Sequence, residues 1–256
     1  MADDPNGSVV LSSSRIRALP PSFFYIPNFI SEEEEVQLLN QIPSNRWVTL
    51  THRRLQAHPS KLTATNTLLS APLPSFLSEP ILGRFKELEV FRDTPHRAPN
   101  HVLLNEYKRG EGIMTHEDGA AYAPVVATVS LGTSIILNIV EKAESVPEST
   151  TRNLGSDGDG EQGKIETEPA KYRILQEPRS LLITTGEGYT EFLHGIADLE
   201  RDEGLGPDTI ANWELLGNPE QFKSGLNERG TRISLTYRDV LKVSNAGSKI
   251  LGLGKR

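Results

Sequence analysis

Residues 231–240 read Thr-Arg-Ile-Ser-Leu-Thr-Tyr-Arg-Asp-Val. Along a β-strand, successive side chains point to opposite faces. Arg232, Ser234, Thr236 and Arg238 therefore share one face, and Ile233, Leu235 and Tyr237 share the other. The pattern predicts a half-buried strand with a polar inner wall. Two arginines on an inward face are costly unless they meet carboxylates. A dicarboxylate ligand would satisfy them through bidentate pairs; a sheet face open to water is the plain alternative.

The surrounding chain reads the same way. Phe23–Ile26 is a β-type run stopped by Pro27, and His101–Tyr107 reads as a strand. Val125–Val140 reads as two strands about Gly132, followed by Tyr172–Leu175, Ser180–Thr185 and Tyr189–His194, the last entered through a turn at Gly186 and Gly188. Two helices are expected before the strands. Ser31 and Glu34 form a capping-box pattern, with Glu32, Glu33 and Glu35 in the first turn and an apolar stripe of Val36, Leu38, Leu39 and Ile42. The second covers Ile81–Val90. Short strands separated by Gly/Pro turns, with a helical flank, predict a mainly β fold of sandwich or jelly-roll type. Residues 1–21 read as a loose arm, 22–245 as one domain and 246–256 as a tail. Residues 141–170, with eight acidic and three basic side chains, read as a mobile loop, and 195–231 as a long connection that packs back through Trp213, Leu215 and Leu216.

Composition narrows the function. Hydrophobic residues make up 36% of 256, enough to bury a core and exclude wholesale disorder. There is no cysteine, which removes disulfides, thiolate metal sites and thiol nucleophiles. The formal charge of -7 argues against a protein that wraps nucleic acid over most of its surface, although a confined basic patch is compatible with it. No secretory signal or bilayer-length apolar run is visible, so a soluble protein of cytoplasm or nucleus, without membrane attachment, is expected. Residues 46–78 lack any acidic residue and carry His52, Arg53, Arg54, His58 and Lys61. They are either a solvated loop or a surface that neutralises phosphates.

Three further groups could carry chemistry. His116 and Asp118 project to one side of a strand while Glu117 points away, offering an imidazole nitrogen and a carboxylate oxygen to a divalent metal. A bare His-x-Asp arises often by chance, and a surface histidine beside two acids is the ordinary explanation. His194, before Gly195 at the expected end of a strand, is the one other histidine in a strand-then-glycine setting far along the chain. Two imidazoles and one carboxylate on one face leave three metal positions open, as in non-haem iron oxygenases. Asn105 and Tyr107 share a strand face and offer neutral hydrogen bonds to a carboxylate or keto acid.

In chain order these are Asn-x-Tyr, His-x-Asp nine residues after the tyrosine, a distal histidine and Arg-x5-Arg. That order resembles the AlkB family of Fe(II)- and 2-oxoglutarate-dependent dioxygenases. Tyr107-Lys-Arg-Gly-Glu-Gly-Ile-Met-Thr-His-Glu-Asp-Gly119 and Phe192-Leu-His-Gly-Ile196 look most like its homologue-six branch, and the resemblance spans residues 20–245. It implies a double-stranded β-helix (jelly-roll) core, with Fe(II) on His116, Asp118 and His194. Arg232 would pair with the distal carboxylate of 2-oxoglutarate, Asn105 and Tyr107 would hydrogen-bond that co-substrate, and Arg238 would lie nearer its keto acid or the substrate. Ser234 stands where the family often has Asn, and the interval from His194 to Arg232 is longer than in the shortest members.

The implied reaction consumes O2 and 2-oxoglutarate, releases succinate and CO2, and oxidises a methyl group. The implied substrate is a methylated base in RNA or DNA, unstacked to reach the metal. His52, Arg53, Arg54 and Lys61 would form a lid on its phosphates, and Tyr122 would either stack on the base or pack in the core. Hydroxylation or demethylation of a protein or small molecule, and a non-catalytic binder of methylated RNA that keeps the metal site, are the competing readings.

Overall fold

The alternation of residues 232–238 becomes the central strand of the larger of two main sheets. The computed structural model describes residues 11–142 and 170–244. Its strands are β1 (Phe23–Ile26), β2 (Val48–Thr49), β3 (Arg54–His58), β4 (Thr67–Leu69), β5 (His101–Tyr107), β6 (Ile113–His116), β7 (Tyr122–Gly132), β8 (Ile135–Glu141), β9 (Tyr172–Gln176), β10 (Leu181–Thr185), β11 (Phe192–Ile196), β12 (Arg201–Glu203), β13 (Leu226–Glu228), β14 (Arg232–Val240) and β15 (Lys242–Ser244). Helices α1 (Glu32–Gln41), α2 (Ser75–Ser78), α3 (Ile81–Glu87) and α4 (Gly186–Thr190) complete the frame. The major sheet runs β1-β10-β7-β14-β5-β3-β2 and the minor sheet β6-β11-β8-β9, both antiparallel. Side chains of both sheets line one cavity, as in the jelly-roll core of a double-stranded β-helix. No helix among the described residues is long and apolar enough to cross a membrane.

Parity assigns each face of the major sheet. Ile233, Leu235 and Tyr237 of β14 join Val102 and Leu104 of β5, Val129 and Leu131 of β7, and Leu181 and Ile183 of β10 in one cluster. Leu38 of α1, Leu77 of α2 and Ile81 and Phe85 of α3 cover it. The opposite parity, including Arg232, Ser234, Thr236 and Arg238, faces the cavity. The strand is thus buried on both faces, not half-buried as its alternation predicts, because the minor sheet roofs the polar side.

Four other expectations are corrected. Residues 11–21 are no loose arm: Ile16 and Leu19 are buried and Arg15 bridges Phe24, so the apolar pair anchors this stretch beside β1. The basic stretch 46–78 is not a free loop, because β3 pairs along β5 and extends the major sheet. Gly186 and Gly188 lie in the short helix α4, so the next strand starts at Phe192 and His194 sits mid-strand. Helix α1 has its capping box, but Val36 and Leu39 are exposed. Its inward contacts are Leu38 and the carboxylate of Glu35, which accepts from Gly132 N (2.7 Å) and Arg179 Nη1 (3.0 Å).

The connection after β11 packs back as expected. Trp213 and Leu215 lie against the cluster containing Leu216, and Arg229 pairs with Asp202 at 2.5 Å in a buried ion pair. The acidic stretch lies outside the described residues except for its ends, and so does the tail at 246–256.

Candidate active site

The two histidines meet because β6 and β11 pair antiparallel with His116 directly opposite His194. Gly195 permits the close approach: a Cβ there would lie 2.9 Å from Thr115 N. The ring centroids are 4.5 Å apart. Asp118 follows β6, where Gly119 at φ +88° turns the chain and its carbonyl accepts from Tyr189 Oη at 2.6 Å. One potential ligand atom from each of His116, Asp118 and His194 lies within 4.8 Å of the others.

Protonation suits metal binding. His116 Nδ1 lies 2.9 Å from the Met114 carbonyl oxygen. A carbonyl only accepts, so Nδ1 is the donating nitrogen and Nε2 is the one left to face a metal. Burial pulls the His194 pKa down to about 4, outweighing the opposing pull of Asp118, so its imidazole is neutral at physiological pH. Asp118 is held by the guanidinium of Arg238, with both side chains largely buried. Arg238 is therefore a partner of the metal-ligand candidate, not a free anion receptor, and it also stacks 4.8 Å from the Tyr122 ring centroid.

These groups open on a cavity of about 270 Å³. Asn105, Tyr107, Arg232, Ser234 and Arg238 of the major sheet all line it, as does Arg53. Register explains the grouping: on β14, Arg232 faces Tyr107 and Ser234 faces Asn105 of β5. Burial raises the Tyr107 pKa, keeping its phenol a hydrogen-bond donor. Arg232 is 2% exposed and makes no ion pair among the described residues. Its Nη2 donates to Ser130 Oγ (2.9 Å) and Gln176 Oε1 (3.0 Å), while its Nε is buried with no partner. Burial draws its pKa to about 10, still cationic at neutral pH. A buried cation with an unused donor fits a carboxylate, and the His/Asp/His set fits a divalent metal with open positions.

The remaining residues of interest scatter. Arg53 donates to Asn105 Oδ1 at 3.3 Å inside the cavity wall. His52 is exposed, 3.3 Å from Asp198, and Lys61 is exposed. Arg54 points away, paired with Glu106 and over the Trp47 ring. Tyr122 is half-buried between His101 and Arg238. Sequence reasoning misses Gln176 and Ser130, the partners of Arg232; the one available signal is a polar residue on the inward parity of each strand.

A family model described as 2OG-Fe(II) oxygenase superfamily matches residues 22–238. The chain belongs to the 2OG-Fe(II) oxygenase superfamily. Members use Fe(II), 2-oxoglutarate and O2, so this oxygenase is an oxidoreductase with that co-substrate. It is 34% identical over 247 residues to a zebrafish (Danio rerio) protein named probable RNA/DNA demethylase ALKBH6, covering 94% of each chain. It is 26% identical to the mouse (Mus musculus) tRNA (carboxymethyluridine(34)-5-O)-methyltransferase ALKBH8, with 89% of this oxygenase matching 32% of that longer protein. Among solved structures, OsALKBH1 superposes with a TM-score of 0.50 at 12% identity, covering 86% of this chain and 99% of that one. That likeness concerns the oxygenase fold.

Proposed function

We propose that this oxygenase oxidatively demethylates a methylated nucleobase in RNA or DNA. The observation that carries the chemistry is the His116–Asp118–His194 cluster opening on the same cavity as the Arg232 guanidinium, whose Nε has no partner. Nucleic acid as the substrate class rests on similarity along 94% of the chain to a relative named for RNA/DNA demethylation. Arg53 in the cavity wall, with His52 and Lys61 exposed nearby in sequence, supports it. Residence in cytoplasm or nucleus belongs to this reading.

Each side chain has a defined part. His116 Nε2, His194 and Asp118 would hold the metal, and Arg238 fixes the Asp118 carboxylate. Arg232 would bind the distal carboxylate of 2-oxoglutarate, with Asn105, Tyr107 and Ser234 beside it. Leu103, Leu182 and Phe192 keep the cavity wall dry. With Fe(II), 2-oxoglutarate and O2 bound, the centre oxidises a C–H bond while the co-substrate becomes succinate and CO2. A hydroxylated N-methyl then leaves as formaldehyde. Tyr122, seated beside Arg238, is positioned to border the entering base.

Mass spectrometry of a methylated-nucleoside panel, after incubation of modified RNA and DNA with Fe(II), 2-oxoglutarate and ascorbate, tests the reading. Substrate-dependent demethylation with matching succinate is expected, and His116→Ala or Asp118→Ala should abolish it while the protein stays folded. Substrate-stimulated succinate with peptides but not nucleic acids would assign the activity to another class. Binding of methylated RNA with no succinate above background would mark a non-catalytic binder.

A further inference from the structure

A guanidinium that recognises a dicarboxylate must be held rigidly and must not be neutralised by the protein itself. Arg232 meets both conditions through two residues from different sheets. Ser130 lies on β7 of the major sheet, opposite Ser234 in the β14 register, and Gln176 ends β9 at the edge of the minor sheet. Ser130 and Gln176 are 0% and 1% exposed. Ser130 Oγ donates to Gln176 Oε1 at 3.2 Å, and Arg232 Nη2 donates to both. The three groups form a closed buried triangle, and every acceptor in it is neutral.

Resting on the assignment of Arg232 to the distal carboxylate, we propose that Gln176 and Ser130 are the positioning residues of co-substrate recognition. They orient the guanidinium from its Nη2 and leave its Nε donor and its full charge for the ligand. The neutrality of residue 176 is the decisive property. A glutamate of the same length would reach the same nitrogen and form a buried ion pair. The incoming dicarboxylate would then have to displace that pair or be repelled by it. The amide oxygen holds the cation without that competition, and the Ser130 hydroxyl, which both donates and accepts, fixes the amide orientation.

The test measures binding, not turnover. Calorimetry on the full chain loaded with Mn(II), without O2, compares 2-oxoglutarate with pyruvate, a keto acid that lacks the distal carboxylate. The wild-type protein should prefer 2-oxoglutarate. Gln176→Glu should weaken 2-oxoglutarate on the order of 10- to 100-fold, the range of a charge-assisted hydrogen bond, and leave pyruvate unchanged. Gln176→Leu and Ser130→Ala should weaken 2-oxoglutarate by a smaller factor, with Ser130→Thr restoring it. Thermal melts identify any variant that fails to fold, and the milder substitutions then carry the test. An unchanged preference in Gln176→Glu, or equal loss of both ligands in folded protein, overturns the proposal. Arg232→Ala separates the two levels. If it abolishes the preference while the Gln176 and Ser130 variants retain it, the positioning role alone falls. If it too retains the preference, the assignment of Arg232 falls and the positioning role falls with it.

Discussion

His58 and His101 show what burial does to single side chains. Both are buried, with pKa values drawn to about 4 by desolvation first, then by Arg46 for His58 and by Arg238 for His101. Arg46 Nη1 donates to His58 Nδ1 at 3.0 Å and His58 Nε2 donates to Gln56 Oε1 at 3.1 Å, a pattern available to the neutral ring alone. In the unfolded chain each titrates near 6.5. Between pH 6.5 and 4 the unfolded state binds more protons, so stability is full above that window and falls as pH drops through it, by about 3 kcal/mol per ring. Denaturant midpoints between pH 7 and 4.5 should show this slope, and His58→Gln or His101→Gln should flatten it. A second prediction concerns Gly195, whose missing Cβ lets β6 close on β11. Gly195→Ala should lower Mn(II) affinity about 10- to 100-fold without touching a ligand, as read by titration. The candidate metal cluster is legible in sequence because His-x-Asp and the strand histidine have local signatures. Gln176 and Ser130 are not, since nothing local marks them as partners of an arginine brought near by sheet pairing.

At the scale of elements, patterning carries much of the fold, and its failures have physical causes. The parity of β14 and β5 is readable because a two-residue period survives whatever packs above it. That β14 is buried on both sides is not readable, because the roof comes from strands elsewhere in the chain. Helix α1 shows the limit of apolar spacing. Its capping box follows from sequence, but its strongest inward contact is polar: Glu35 satisfies the Gly132 amide at the β7–β8 turn and anchors Arg179. Glu35→Ala should cost about 1–3 kcal/mol in chemical denaturation, the loss of a carboxylate that accepts part-buried hydrogen bonds from both Gly132 N and Arg179 Nη1. Metal affinity, set on other strands, should stay the same. A matching loss of metal binding would show that the helix supports the minor sheet as well.

Across the whole molecule the two sheets divide the chemistry. The minor sheet and the turn after it carry His116, His194 and Asp118; the major sheet carries Arg232, Asn105 and Tyr107. Strand β14 spans both ends of this arrangement, with Arg232 at one end and Arg238 reaching Asp118 near the other. The cation keeps the aspartate seated before any metal arrives, so depletion should leave no bare negative charge to spring the pocket open. Dialysis against a chelator should yield a protein whose near-ultraviolet circular dichroism matches the starting material, and fresh ferrous ion should return full turnover within the time of mixing. Arg238→Met, by contrast, should emerge from the same treatment slow or unable to reload. Iron would then be a replaceable part of this catalyst, and recovery after scarcity would require no new synthesis of the chain.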